Sequence, residues 1–472
     1  MSRSLAGPVL VGIAFALAGY EVYGFILVHS FLGDYRAFWC AANVVLHGGD
    51  PYRAVTLALC ERAATGWGVY SAPPGVTVPA PIPPYAVALF LPLAMLTFPI
   101  AAVLWFCAIT GAWVLSVVLM SRVLRITPIL AAWCLLLPAT LLWLPYGELT
   151  PFALLGALLA AVGLRTGRNV ITAAGLALLA VEPHLALGAW IGVALFVPRA
   201  RLWLAAAGAV LIGLSALANP DALIEYLRFV LPVHALAEVP RPAQYSATWI
   251  AYALGARPNT AIFAGEATYA LFLLAGLTAA RFLQRRWNEP ATLILAPLAA
   301  AVMGGTFVHT SQIPVALPFA ALFSTREQGS RRTLGTIALA VLAVPWGGQA
   351  AVLALGVIVA ASVVFAATAN RRLVFRVVLG TTALTLALLF VGRHPVILRR
   401  AGSFPAVQSS EEVSSASWGR YIWREQSTVS IESWLTKVPT WFALLLLVCG
   451  TATIANKQSI RIIRIDQAPI VP

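Results

Sequence analysis

Carboxylates recur in this sequence at the borders of long apolar stretches, a setting in which an acid can be turned into a base. Asp34 follows the first such stretch, in Gly33-Asp34-Tyr35-Arg36-Ala37-Phe38-Trp39. A carboxylate there lies close to water yet beside a low-dielectric region, which raises its pKa and suits it to taking a proton from a hydroxyl. A helix-end carboxylate paired with Arg36 is the plainer reading. Glu148 stands in Pro145-Tyr146-Gly147-Glu148, between two apolar stretches. It reads either as a functional acid or as a helix-start carboxylate favoured by the helix dipole. Glu182 and His184 flank Pro183 within a third stretch, as acid/base or positioning groups or as a mutually hydrogen-bonded pair. Glu21 and Glu266, also within apolar stretches, are weaker cases.

Cationic and neutral polar groups gather elsewhere. Arg36 follows Asp34, and Tyr52 closes Gly48-Gly49-Asp50-Pro51-Tyr52. His234, Arg241, Gln244, Tyr245 and Ser246 share one polar segment, and His309 and Gln312 another. A phosphate-bearing ligand at a membrane interface needs such donors, and Arg241 offers bidentate contacts. A solvated surface arginine is the alternative.

The elements that must position these groups are set by composition. Of 472 residues 60% are hydrophobic and 10% charged, and mean hydropathy is +0.87, whereas soluble domains are about a quarter charged. Stretches near the ~20 residues that a membrane span needs recur throughout. The first, Pro8 to His29, lacks a small-residue cleavage site and reads as a retained helix. The net charge of +14 does not point to nucleic acid. It comes as short arginine pairs between apolar stretches, such as Arg165/Arg168, Arg199/Arg201 and Arg371/Arg372, which is the pattern of cytoplasmic loops. The expected class is therefore all-α, a polytopic multi-pass bundle of about 12 transmembrane helices in the cell's inner (plasma) membrane.

With the arginine pairs inside, residues 30–82, 219–246 and 393–436 become outer loops, the last rich in Ser and Glu and long enough to form a lid. Crossings fall near 8–29, 99–121, 128–145, 149–164, 202–218, 260–280, 290–308, 311–323, 333–344, 347–368, 375–392 and 438–455. Stretches 170–181 and 185–197 are too short to span and are broken by Pro183. They form either a re-entrant hairpin with a polar tip or one kinked helix. Cys40 and Cys60 share an outer loop, where an oxidising compartment would permit a disulfide. P-loop, Rossmann, paired CxxC and HExxH motifs are lacking, so neither a nucleotide cofactor nor a metal is expected.

The order of these motifs resembles glycosyltransferase family 87, within the GT-C superfamily of membrane enzymes. The matching pieces are Asp34-Tyr35-Arg36-Ala37-Phe38-Trp39, Pro51-Tyr52, Pro83-Pro84, Pro92-Leu93-Ala94, Tyr146-Gly147-Glu148-Leu149-Thr150, Gly175-Leu176 before Glu182-Pro183-His184, Gln244-Tyr245-Ser246 and His309. They span about residues 10–325, taken as a catalytic module, with 326–472 as further membrane helices. The resemblance implies transfer of a mannose-like hexose from a polyprenyl-phosphate donor to a lipid or glycan acceptor at the extracytoplasmic face. It implies Asp34 as the catalytic acid, and the residues themselves add Glu148 and Glu182 as further candidate catalytic acids. Arg36, Tyr52, His184, Arg241, Gln244 and His309 are then substrate-binding, and no metal is required because phosphate is its own leaving group. The chain departs from the family where Glu148 replaces a usual Gln and Glu182 a usual Lys. A secondary transporter, suggested by intramembrane acids and broken helices, and an inactive scaffold of the same fold are the competing readings.

Overall fold

The computed structural model describes residues 32–64, 76–218, 221–347, 350–400, 402–406 and 412–466, with Gly12 and Ala16 besides. The expected first crossing and Glu21 lie outside the described residues. The rest is a bundle of helices with one small antiparallel pair of strands, Ile397–Arg400 against Thr428–Ser430.

Among the described residues five helices are long and apolar enough to cross a membrane: Phe98–Leu124, Pro198–Ala218, Pro258–Trp287, Arg371–Arg393 and Ile431–Ile454. Their outward faces are greasy. Phe375, Leu379, Leu386 and Phe390 are each more than 60% exposed along one helix, a stripe that hydrocarbon solvates and water does not. The other expected crossings correspond to shorter apolar helices, such as Pro128–Trp143, Thr150–Thr166 and Thr292–Ala301. The figure of about 12 full spans is therefore not what the described chain displays. Proline is one reason. Pro138 sits where helix Pro128–Leu137 passes into a π-helical turn, and Pro314 lies in the 3-10 segment Thr310–Ala316, so hydropathy continues where regular helix does not.

Two features bring the polar segments together. Helices Thr150–Thr166 and Asn169–Leu179 pack backbone to backbone, because Gly156 and Gly175 face each other. A Cβ on Gly156 would lie 2.6 Å from the Gly175 carbonyl. The chain then breaks at Ala180–Glu182 and returns as helix Pro183–Phe196. At the far end of that return the Asn169 side-chain amide donates to the Arg199 carbonyl at 3.1 Å. Trp190 Nε1 crosses to the Leu176 carbonyl at 3.0 Å. Feet that meet make this a hairpin with Glu182-Pro183-His184 at its tip, not a kinked continuous helix.

At the same end as those feet, Glu289 joins Arg165 and Arg326, and Glu327 joins Arg286 and Arg331. At the opposite end the described parts of 393–436 (393–400, 402–406 and 412–436) fold back over the bundle. Their helix Ser414–Glu425 is pinned where Ser414 N–H donates to the Tyr52 carbonyl at 2.8 Å and Ala54 N–H to the Glu412 carbonyl at 3.0 Å. Cys40 and Cys60 form a disulfide that ties helix Gly33–Leu46 to helix Ala54–Ala63 beneath it.

Candidate functional site

Asp34 is fixed by a strained entry. Leu32 is buried with φ 58°, a left-handed conformation uncommon for a branched residue. That turn aims three amides at one neighbouring loop. Leu32 N–H donates to the Pro145 carbonyl at 2.7 Å, and Asp34 and Tyr35 N–H to the Tyr146 carbonyl at 3.0 and 3.3 Å. The close approach requires Gly147, whose φ is +79° and where a Cβ would lie 2.6 Å from the Cβ of Tyr35. Trp105 clamps the junction from below. Its Nε1 donates to the Gly147 carbonyl at 2.9 Å while its ring stacks on Tyr35 at 5.2 Å. The result sets the Asp34 carboxyl in hydrogen-bonding reach of Glu148.

Both acids open into one cavity of about 440 Å³, also lined by Glu182, Glu238, Arg241 and His309, within the ~300–1,000 Å³ typical of small-molecule sites. Gln312 Nε2 donates to Glu182 Oε2 at 3.0 Å. The lid closes the other side through Trp418 and Gln426. The Trp418 Nε1 donates to Glu238 Oε1 at 2.8 Å, and the Arg241 guanidinium lies 5.4 Å from its ring centre. The site is therefore not confined to residues 1–325.

Burial and neighbouring charge divide these carboxyls. Burial pushes Asp34 up to about 6 against the pull of Arg241. Burial also raises Glu148, and the Asp34 charge raises it further, well above the usual range. Glu148 is therefore the more readily protonated of the two and Asp34 the more readily ionised. Burial raises Glu182 to about 7. Glu238 is buried as deeply. There Arg241, with Nη1 3.2 Å from both oxygens, His309 and His234 outweigh burial and hold it at about 2.

Asp34, Glu148, Glu182, Arg241 and His309 thus face a common space. The other proposed residues do not line it, and each has a structural reason. Arg36 interacts with Glu61 and stands over Phe98, 5.9 Å from the ring centre; two residues along a helix, it points away from Asp34. The Tyr52 phenol is fully buried and donates to the Ile82 carbonyl at 3.0 Å, bracing the wall from behind. His184 packs beside Phe307, with Nδ1 3.8 Å from Glu182. Gln244 is a bracket. Its Oε1 accepts from Val308 N–H at 3.1 Å and Ser246 Oγ at 2.9 Å, and its Nε2 donates to the Glu238 carbonyl at 3.0 Å. Glu266 lies on the exposed face of its helix.

Sequence reading missed Glu238 and Trp418. Glu238 had a local signal. It follows His234 by four residues and precedes Arg241 by three, spacings that share one face if the segment is helical, and residues Leu231–Glu238 are helical. Trp418 had none, since only the fold-back of the lid brings it in. His234, Glu238 and His309 together could hold a metal ion, each offering one ligand atom, all within 4.8 Å of one another. Comparison with family models, curated proteins and solved structures finds no match to this chain.

Proposed function

We propose that this chain is a membrane glycosyltransferase that moves a mannose-like hexose from a polyprenyl-phosphate donor to a lipid or glycan acceptor. The observation that carries the reading is the pairing, on one cavity, of a buried carboxylate tuned to about 6 with a proton-bearing Glu148 and the Arg241 guanidinium. The cavity lies opposite the arginine-rich end, so in an inner membrane it faces outward, where the Cys40–Cys60 disulfide also persists.

The chemistry follows from the chain's own groups. The donor's lipid keeps its phosphate at the headgroup level, and Arg241 supplies donors to it. The acceptor hydroxyl binds against Asp34. Its oxygen bonds to the anomeric carbon as the bond from that carbon to the phosphate oxygen breaks, and the phosphate leaves with the electron pair. The hydroxyl proton passes to Asp34. Membrane lipids and the acceptor are the only partners this requires.

The test is transfer by the purified, detergent-solubilised protein from polyprenyl-phosphate mannose to lipids extracted from the cell envelope, with products read by mass spectrometry. Solute flux in proteoliposomes without any sugar transfer would replace this reading with a transporter.

Two expected results bear on details. Glu148→Gln retains most of the wild-type rate, because a carboxyl that holds its proton and an amide are both neutral donors of similar shape to Asp34. A loss as large as that of an Asp34 variant would show that Glu148 ionises in the cycle. For sidedness, Ser403→Cys and Ser330→Cys label with an impermeant thiol reagent from opposite faces of the membrane. Labelling of both from one face would refute the orientation.

A further inference from the structure

We infer that His234, Glu238 and His309 form a site for a divalent transition-metal ion of the zinc type in the wall of this cavity. His234 and Glu238 stand one turn apart on helix Leu231–Glu238, and His309 arrives from the start of the 3-10 segment Thr310–Ala316. The backbone that delivers it is held by the bridge between Gln244 and His309. Two imidazoles and a carboxylate with an open position form a donor set used by catalytic zinc. The spacing fits. Tetrahedral zinc with ligands at ~2.0–2.2 Å keeps its ligand atoms about 3.4 Å apart, and His309 Nε2 lies 3.5 Å from Glu238 Oε2. That separation is long for a hydrogen bond. The ligand atom of His234 is within 4.8 Å of both others, so a shift of roughly 1 Å completes the set.

A second observation points to a missing partner. His234 is almost fully buried, yet its Nδ1 has no hydrogen-bond partner among the described residues, and buried ring nitrogens are ordinarily satisfied. The carboxylate is already oriented as a metal ligand should be. Trp418 Nε1 holds its Oε1, the kind of outer contact that fixes a ligating carboxylate. An ion on Oε2 takes that oxygen from Arg241, which then keeps only its 3.2 Å contact to Oε1 and is held less firmly away from the cavity that both line. The charge count agrees, a point that rests on the proposed transferase reading. Among the described residues Arg241 is the one arginine or lysine lining the cavity, and Glu238 already occupies it. A phosphodiester therefore meets more negative than positive charge unless a cation is added.

The test needs no activity. Full-length protein, purified in detergent with any affinity tag removed and stripped with EDTA, is dialysed against zinc and its metal content measured. One zinc per chain is expected. His234→Ala and His309→Ala should weaken zinc binding more than about 100-fold, beyond what loss of an outer contact produces, while Asp34→Asn binds as wild type. If a histidine variant fails to fold, cobalt added to the stripped wild type gives the visible absorption of a four- or five-coordinate ion, displaced by one equivalent of zinc. Absence of stoichiometric binding to the wild type, or binding that neither histidine variant weakens, would overturn the site. A protein that binds zinc through these residues and transfers no sugar keeps the site and overturns the transferase.

Discussion

Purified Asp34→Asn protein transfers sugar about 10²–10⁴-fold more slowly than wild type, the range that a positioned general base supplies. The amide nearly matches the carboxyl in size and leaves the residue-34 backbone N–H donating to the Tyr146 carbonyl, but it cannot take the acceptor's proton. Donor binding changes little, because an anionic phosphate gains nothing from the lost carboxylate. The pH profile carries a sign. The base works unprotonated and titrates near 6, so the wild-type rate falls about tenfold per pH unit below that value and levels off above it, whereas the residual rate of the variant lacks that limb. The same group affects stability in the opposite sense. The folded carboxyl binds its proton more tightly than the unfolded one, so between about 4 and 6 stability falls as pH rises. The asparagine variant loses this dependence and melts no lower than wild type at neutral pH. Near-normal turnover by correctly folded variant would remove Asp34 from the mechanism and shift the burden to Glu182.

Arg241→Gln acts on the donor instead. A charge-assisted hydrogen bond contributes about 1.5–3 kcal/mol, so the KM for the lipid donor rises about 10–100-fold with a smaller change in kcat. Stability also drops, by about 2 kcal/mol, since removing one partner of a buried pair leaves the other uncompensated. Partial solvent access at Arg241, 24% against 0% for Glu238, keeps that below the cost of a fully buried pair. The two losses separate in the double variant Glu238→Gln/Arg241→Gln. It regains stability, because no buried carboxylate is left unpaired, and it does not regain donor affinity. An unchanged donor KM in Arg241→Gln, or recovery of affinity in the double variant, would rule Arg241 out as the phosphate contact.

The membrane character, the helical class and three acids of the site are readable from the chain alone because each is a local property. Hydropathy sums along a segment, and Asp34, Glu148 and Glu182 each mark a place where an apolar run meets a glycine, proline or arginine. What local pattern leaves open is direction. Arg36 and Arg241 were equal claimants for the phosphate, and helical geometry decides against Arg36, whose place two residues after Asp34 turns it toward Glu61. Tyr52 and Gln244 carry polar groups that a sequence cannot distinguish from ligand contacts, and the fold spends them on the Ile82 and Glu238 carbonyls and the Val308 amide.

Tertiary structure alone decided the rest. The Asn169 to Arg199 contact makes the broken stretch a hairpin and puts Glu182 at its tip. The fold-back of helix Ser414–Glu425 supplies Trp418 to Glu238 across a long separation in sequence. The two histidines and Glu238 meet only because one helix and one distant loop are bracketed together by Gln244. Hydropathy and periodicity describe how a segment relates to its surroundings, whereas a site is a relation between segments, and that is set by packing.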